Sequence, residues 1–365
     1  MPPLLKTIRL QGFRTFRDLT LSPLTRVNLL VGANSAGKTS VLEGAEILLG
    51  GGGSQFLARS LVRRNESVAG RDDAQAELDV RHLFHGHALT PGTRFRLDGV
   101  NSTALFVECV LVPASDQPPL PGFLPLEPES AEMKPALDLQ IKTADPDGGA
   151  WVPLSPSGGL TAEARRRYST TTSQNNAHPV IYVGPEGSTM LRLGSLWDDI
   201  VLTPEESRVI ESLQVLEPEI ERIAATSRGS SRSGGGMLVK LKGSDERLPL
   251  GSMGDGIKRL LLLAVSIVTS GAGYLMVDEV DTGLHYSVMV DMWRLLVHSA
   301  RRLDVQVFAT THSLDCVRAL AYLYESAPDI QDDVSVHRVG SGLSHAIRYS
   351  AEEIHAAAQQ HIEVR

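Results

Sequence analysis

The chain has 365 residues, of which 42% are hydrophobic, enough to bury one large core or two modest ones and too apolar for a disordered chain. Its net charge of −8 excludes a uniformly basic coat for nucleic acid and leaves room only for a local positive face. Two cysteines, Cys109 and Cys316, are too few for a disulfide framework and lack metal-ligand spacing, so a reducing, cytoplasmic setting is expected.

No apolar segment with a small-residue cleavage site opens the sequence, so no secretion signal is expected. Residues 4–32, LLKTIRLQGFRTFRDLTLSPLTRVNLLVG, alternate apolar and polar positions and then become continuously apolar. That pattern predicts short antiparallel strands feeding a buried strand at Val27–Val31. A loop at 32–36 follows, then a helix over 37–49, which the four glycines at 50–53 terminate.

From about 75 to 183, the segments AELDVRHLF, TRFRLDG, ALFVECVLV, ALDLQIKTA and PVIYVG have strand alternation, punctuated by Pro, Gly and Asp. The proline-dense run DQPPLPGFLPLEPESAEMKP reads as an exposed loop. A helical stretch is predicted over 203–225 and a flexible linker over 226–236. Strand and helix then alternate three times over 237–323, which implies a parallel sheet.

The 18 uncharged residues of 260–277, LLLLAVSIVTSGAGYLMV, approach the length of a membrane span. Ser270 to Gly273, SGAG, splits the run into a helical half and a β-rich half, so no membrane span is expected. The chain is thus divided into 1–74 and 237–325 as the two parts of one α/β unit. Residues 75–225 form a β-rich insertion with a helical subdomain, 226–236 a loop, and 326–365 a terminal strand and helix.

Three stretches carry chemistry. Gly32-Ala33-Asn34-Ser35-Ala36-Gly37-Lys38-Thr39 fits G-x-x-x-x-G-K-[ST] at every fixed position, between a strand and a helix as a phosphate-binding loop requires. Gly32, Asn34, Ser35, Ala36, Gly37 and Ser40 would line the phosphates of ATP, Lys38 would reach the β- and γ-phosphates, and Thr39 would hold Mg2+. In YLMVDEVDTGLH, an apolar strand ends in Asp278 and Glu279, the first suited to Mg2+ and the second to activating water. In VQVFATTHS, another apolar strand ends beside His312, placed to sense or polarise the γ-phosphate.

Ser252-Met253-Gly254-Asp255-Gly256 opens an apolar helix and makes a second anion cradle. One nucleotide has no need of two cradles, which points to a nucleotide held by another subunit.

These stretches resemble the ABC-type ATPases, within them the RecF/SMC/OLD-like group and its stand-alone antiphage-defence ATPases. LQGFRTFRDLTL is similar to the opening of that group, SMGDGIKRLL to its signature, YLMVDEVDTGLHYS to its Walker B and D-loop, and ATTHS to its switch histidine. The resemblance implies a P-loop head with a mixed β-sheet flanked by helices. It also implies a homodimer closed head to tail on two ATP molecules, in which Ser252 and Gly254 of one copy complete the site of the other. Asp281 belongs to the implied D-loop, Arg14 falls near the γ-phosphate or DNA, and Gln55 is the candidate Q-loop residue.

Only about fifty residues follow His312, too few for the TOPRIM nuclease domain of OLD proteins, and no heptad arm of SMC type is present. A head of this sort is expected to act beside a separately encoded nuclease or toxin. The alternatives are a RecF-like DNA clamp, with Arg59, Arg63, Arg64 and Arg165, Arg166, Arg167 as phosphate contacts, and the nucleotide-binding subunit of a membrane transporter.

Overall fold

A computed structural model describes residues 4–68, 77–101, 103–114, 137–145, 149–169, 178–185, 189–214, 217–226, 236–340 and 342–360. The chain opens with β1 (Thr7–Phe13), β2 (Phe16–Leu21) and β3 (Val27–Val31), then α1 (Lys38–Leu49) and α2 (Ser54–Arg63). The middle holds β4 (Leu78–Asp79), β5 (Arg94–Val100), β6 (Ala104–Pro113), β7 (Leu137–Thr143), β8 (Ala150–Pro153) and β9 (Gly159–Leu160). It continues through α3 (Ala162–Ser169), β10 (Val180–Val183), α4 (Thr189–Asp198), α5 (Pro204–Gln214), β11 (Ile220–Thr226), β12 (Gly236–Leu241) and β13 (Arg247–Pro249). Last come α6 (Asp255–Thr269), β14 (Tyr274–Val277), α7 (Met289–Leu303), β15 (Gln306–Thr310), α8 (Leu314–Ser326), β16 (Val334–Arg338), β17 (Ile347–Tyr349) and α9 (Ala351–Gln359).

Two six-stranded sheets dominate. One has the order β10-β14-β15-β3-β16-β17, parallel from β10 to β16, with β17 antiparallel at its edge. Strands β3, β14 and β15 are buried at every residue, which is why VNLLV, YLMV and QVFAT read as continuous apolar runs. Alternate residues serve opposite cores. Leu29, Leu275, Val277 and Val307 pack with α6, α7 and α8, while Leu30, Met276 and Phe308 pack with α1. Helix α1 lies between the two sheets, against β1, β5 and β6 on one side and β10, β14 and β15 on the other. The fold is therefore the mixed-sheet α/β head that the sequence predicts.

The second sheet, β2-β1-β5-β6-β7-β8, changes the reading of the middle of the chain. The strands of 94–153 do not form a separate body but extend the sheet begun by β1, with Leu10 paired to Leu97. Residues 180–183 belong to the parallel sheet beside β14. Residues 220–226, expected to be helical, form β11 and pair with β12 and β13 in a three-stranded antiparallel sheet. Only Ile220 and Ile223 of that strand are buried, a spacing of three that resembles one helical turn. Because β12 pairs antiparallel with both β11 and β13, it is not a strand of the parallel sheet, and the expected alternation holds only from α6 onward. The proline-dense segment at 116–135 and all but the ends of the 226–236 linker lie outside the described residues.

Among the described residues no helix is long and apolar enough to cross a membrane. The uncharged run 260–277 divides between α6 and β14, as the SGAG interruption predicts.

Candidate nucleotide-binding site

The loop after β3 takes its shape from backbone conformations that need glycine. Gly32 has φ 148° and Gly37 φ 94°. A Cβ on Gly32 would lie 2.3 Å from the Val339 carbonyl oxygen, and one on Gly37 would lie 2.3 Å from Cζ of Phe16. Gly37 caps α1 without any side-chain bond, and no acid occupies the helix's first turn. The N-terminal N–H groups and the positive end of the helix dipole are thus uncompensated by side chains, as an anion cradle requires. Lys38 Nζ donates to the carbonyl oxygens of Gly32 at 2.7 Å and Ala33 at 3.0 Å.

The parallel sheet brings the distant acids to this loop. Asp278 follows β14, and Thr310 ends the intervening β15. Asp278 Oδ2 accepts from Thr39 Oγ1 at 2.9 Å, and its Oδ1 accepts from Thr310 Oγ1 at 2.6 Å. The Thr310 hydroxyl in turn accepts the Glu279 backbone N–H at 2.8 Å. Glu279 sits at φ 49°, a strained conformation for a residue with a Cβ. Its carboxylate accepts from Thr282 Oγ1 at 3.0 Å and lies 3.7 Å from His312 Nδ1.

A cavity of about 390 Å3 results, walled by residues 34–40 with Asp278, Glu279, Thr310 and His312, and touching Thr15 and Arg64. The structure thus gathers Asn34, Ser35, Ala36, Gly37, Lys38, Thr39, Ser40, Asp278, Glu279 and His312 around one space. Thr39 and Asp278 present a hydroxyl and one carboxylate 2.9 Å apart. That donor set fits Mg2+, which keeps water and phosphate oxygens as most of its ligands. No cluster of three or more His, Cys, Asp or Glu suited to a protein-only metal cage occurs among the described residues.

The remaining predicted site residues lie elsewhere. Ser252 and Gly254 are exposed at the entry to α6 and do not line the cavity. Gly254 has φ 90°, and α6 has no side-chain cap. Asp281 is buried beside the cavity, where Thr311 Oγ1 donates to it at 2.5 Å. Gln55 stands in the first turn of α2 and does not line the cavity.

The expectation for Arg14 is corrected. Its side chain is 4% exposed and paired with Glu43 at 2.7 Å and Glu66 at 2.9 Å, with a further bond to Ser60. It locks the β1–β2 turn to α1 and α2 and does not face the cavity. Arg63 and Arg64 are likewise committed, to Glu46 and Glu43 respectively, and are neither free phosphate contacts nor an ordinary solvated run. Arg59 stacks on Phe56 at 5.2 Å. Arg165 and Arg166 lie on α3, and the Arg167 side chain lies outside the described residues.

Two residues at the site escaped the sequence reading. Tyr182 on β10 is buried, and its hydroxyl donates to Asp278 Oδ2 at 3.3 Å. Burial, with Asp278 adding to it, raises the phenol far above its ordinary range, so it stays a donor. Arg259 on α6 is buried and donates to the carbonyl oxygens of Gly184 at 2.8 Å, Asp278 at 2.9 Å and Glu279 at 2.7 Å. The available signals were a polar aromatic in an apolar strand and a cation inside an apolar helix.

Two family models match the chain. Residues 7–86 match an "AAA domain", and residues 202–316 match "AAA domain, putative AbiEii toxin, Type IV TA system". The first contains the phosphate loop and the second everything from Ser252 to His312. A protein of Helicobacter pylori named "ATP/GTP phosphatase" is 21% identical over 338 residues, 87% of each chain. An uncharacterised protein of Methanocaldococcus jannaschii is 35% identical over 65 residues, 18% of this chain and 57% of that protein. Among solved structures, an SMC head bound to the C-terminal winged-helix domain of ScpA matches 96% of this chain and 99% of its own, at 15% identity and a TM-score of 0.50.

The fold is that of an SMC head. Within this fold, β3 and β14 of the chain carry the phosphate loop and the acidic pair, and β15 lies between them.

Proposed function

We propose that this chain is an ATP-binding and ATP-hydrolysing head that pairs head to tail with a second copy. Its opening and closing would control a separately encoded nuclease or toxin, in the manner of antiphage-defence ATPases. The observation that carries the pairing is the division of the anion-binding groups. One cavity holds Lys38, Thr39, Asp278, Glu279 and His312, while Ser252 and Gly254 stand exposed outside it. The phosphatase name of the relative and the toxin-system name of the matching family support hydrolysis and the effector role.

In this reading Lys38 neutralises the β- and γ-phosphates, and Thr39 with Asp278 holds Mg2+, which supplies further charge neutralisation when bound. Glu279 orients the attacking water and takes its proton, with His312 beside the transferred phosphate. The partner's signature segment supplies donors that act on the charge developing in the transition state. Closure on ATP and reopening after hydrolysis shift the population between two dimer states. A RecF-like clamp is the lesser reading, because Arg63 and Arg64 already serve buried acids.

Complementation tests the reading. Lys38→Ala is expected to lose nucleotide binding and Glu279→Gln to retain ATP in an accumulating dimer by light scattering. Mixing two inactive variants, Lys38→Ala and Ser252→Arg, rebuilds one intact composite site per mixed dimer and restores turnover. Turnover per chain that does not change on dilution, together with no rescue on mixing two folded variants, would refute the composite site.

A further inference from the structure

The Asp278 carboxylate is held by hydroxyls from three elements: Thr39 on α1, Thr310 on β15 and Tyr182 on β10. Thr39 is also the hydroxyl that Mg2+ would claim, so its bond to Asp278 is the one that metal binding competes for. Thr310 and Tyr182 are not metal ligands in this reading and keep one oxygen each. Tyr182 can be held in turn from outside the pocket. The Arg63 guanidinium lies 3.8 Å over its ring, a contact of cation–π type. Arg63 is anchored by an ion pair with the buried carboxylate of Glu46 on α1. Burial pushes the Glu46 carboxyl upward, against the pull of Arg63, so removing this arginine would leave a poorly solvated acid.

A tyrosine that served only to fill the core would need no hydroxyl, and a phenylalanine would occupy the same volume. Here the hydroxyl is aimed at the carboxylate that ends the neighbouring strand, with Tyr182 paired to Met276, two residues before Asp278. Arginine suits the outer position because its flat face stacks while its edge donates to Glu46, which a lysine cannot do in the same way.

We infer that Tyr182 is a positioning residue for the metal-binding Asp278, and that Arg63 of α2 sets its ring, so that α2 tunes the metal dependence of nucleotide binding. This rests on reading Thr39 and Asp278 as the Mg2+ site. The test is a magnesium titration of fluorescent ATP-analogue binding, with manganese paramagnetic resonance as a second readout and the thermal midpoint as a fold control. Tyr182→Phe is expected to raise half-saturating Mg2+ about three- to tenfold, the effect of one lost hydrogen bond, with nucleotide affinity in EDTA unchanged. Arg63→Lys, which keeps the charge facing Glu46, is expected to shift the metal dependence in the same direction, and the double variant to shift it no further than Tyr182→Phe alone. An unchanged metal dependence in a folded Tyr182→Phe overturns the inference. So does an Arg63→Lys shift that persists undiminished in the Tyr182→Phe background. Failure of the unmodified chain to bind nucleotide at any Mg2+ concentration would instead overturn the site as a whole.

Discussion

Replacing Arg259 with methionine removes a forked cation that holds three backbone carbonyls and leaves a side chain of comparable length. The three bonds, at 2.7–2.9 Å, are charge-assisted, each contributing about 1.5–3 kcal/mol, so the gross loss is about 4.5–9 kcal/mol. Against it stands the desolvation of the guanidinium of an arginine that is 6% exposed as a residue. That penalty costs several kcal/mol and also lowers the Arg259 pKa, against the pull of Asp281, Asp278 and Glu279. The balance is a net destabilisation of about 3 kcal/mol, measurable by equilibrium urea unfolding. Turnover should fall further than stability. Two of the carbonyls belong to Asp278 and Glu279, and Glu279 sits in a strained left-handed conformation that this fork helps to pin. A carboxylate misplaced by about 1 Å costs on the order of a hundredfold in kcat, while nucleotide affinity stays near that of the parent because Arg259 touches no part of the phosphate loop. An Arg259→Met variant with parental urea midpoint and parental kcat would refute the clamp.

Two further outcomes follow from buried charge. His337 is buried on β16 with Nε2 3.0 Å from Ser335 Oγ, and burial, with Arg348 nearby, lowers its pKa from 6.5 to about 4. The folded state binds this proton less readily than the unfolded one, so its contribution is complete above pH 6.5 and is lost as the pH falls towards 4. The loss reaches about 3 kcal/mol, and His337→Gln should flatten the stability profile in that window; an equally steep profile in the variant would contradict the assignment. Arg14→Met removes one of two arginines from Glu43 and the partner of Glu66. It should destabilise by about 3 kcal/mol by urea unfolding while leaving ATP affinity intact, and loss of affinity without loss of stability would return Arg14 to the pocket.

The phosphate loop, the acidic pair and His312 were legible because each ends an apolar run, and a buried parallel strand writes itself as such a run. The partners that hold them were not. Tyr182 lies 96 residues from Asp278 and Thr39 lies 239 from it, separations across which no local pattern speaks. The same is true of sheet membership: β5 to β8 have the alternation of any half-buried strand, and only their pairing with β1 decides that they complete the head. Arg14 was misread because a basic residue between two short strands says nothing of its own burial, which Glu43 on α1 and Glu66 beyond α2 determine.

Strand β15 separates the strand of the phosphate loop from that of the acidic pair, and its last residue, Thr310, pairs with Leu30 of β3 through its backbone while its hydroxyl holds Asp278 and Glu279. During synthesis the phosphate loop emerges about 270 residues before Thr310. A growing or truncated chain therefore carries the loop without the lateral support that aligns the carboxylates. Any joint action of the loop and the carboxylates therefore depends on a strand that lies between them in the sheet and comes after both in the sequence.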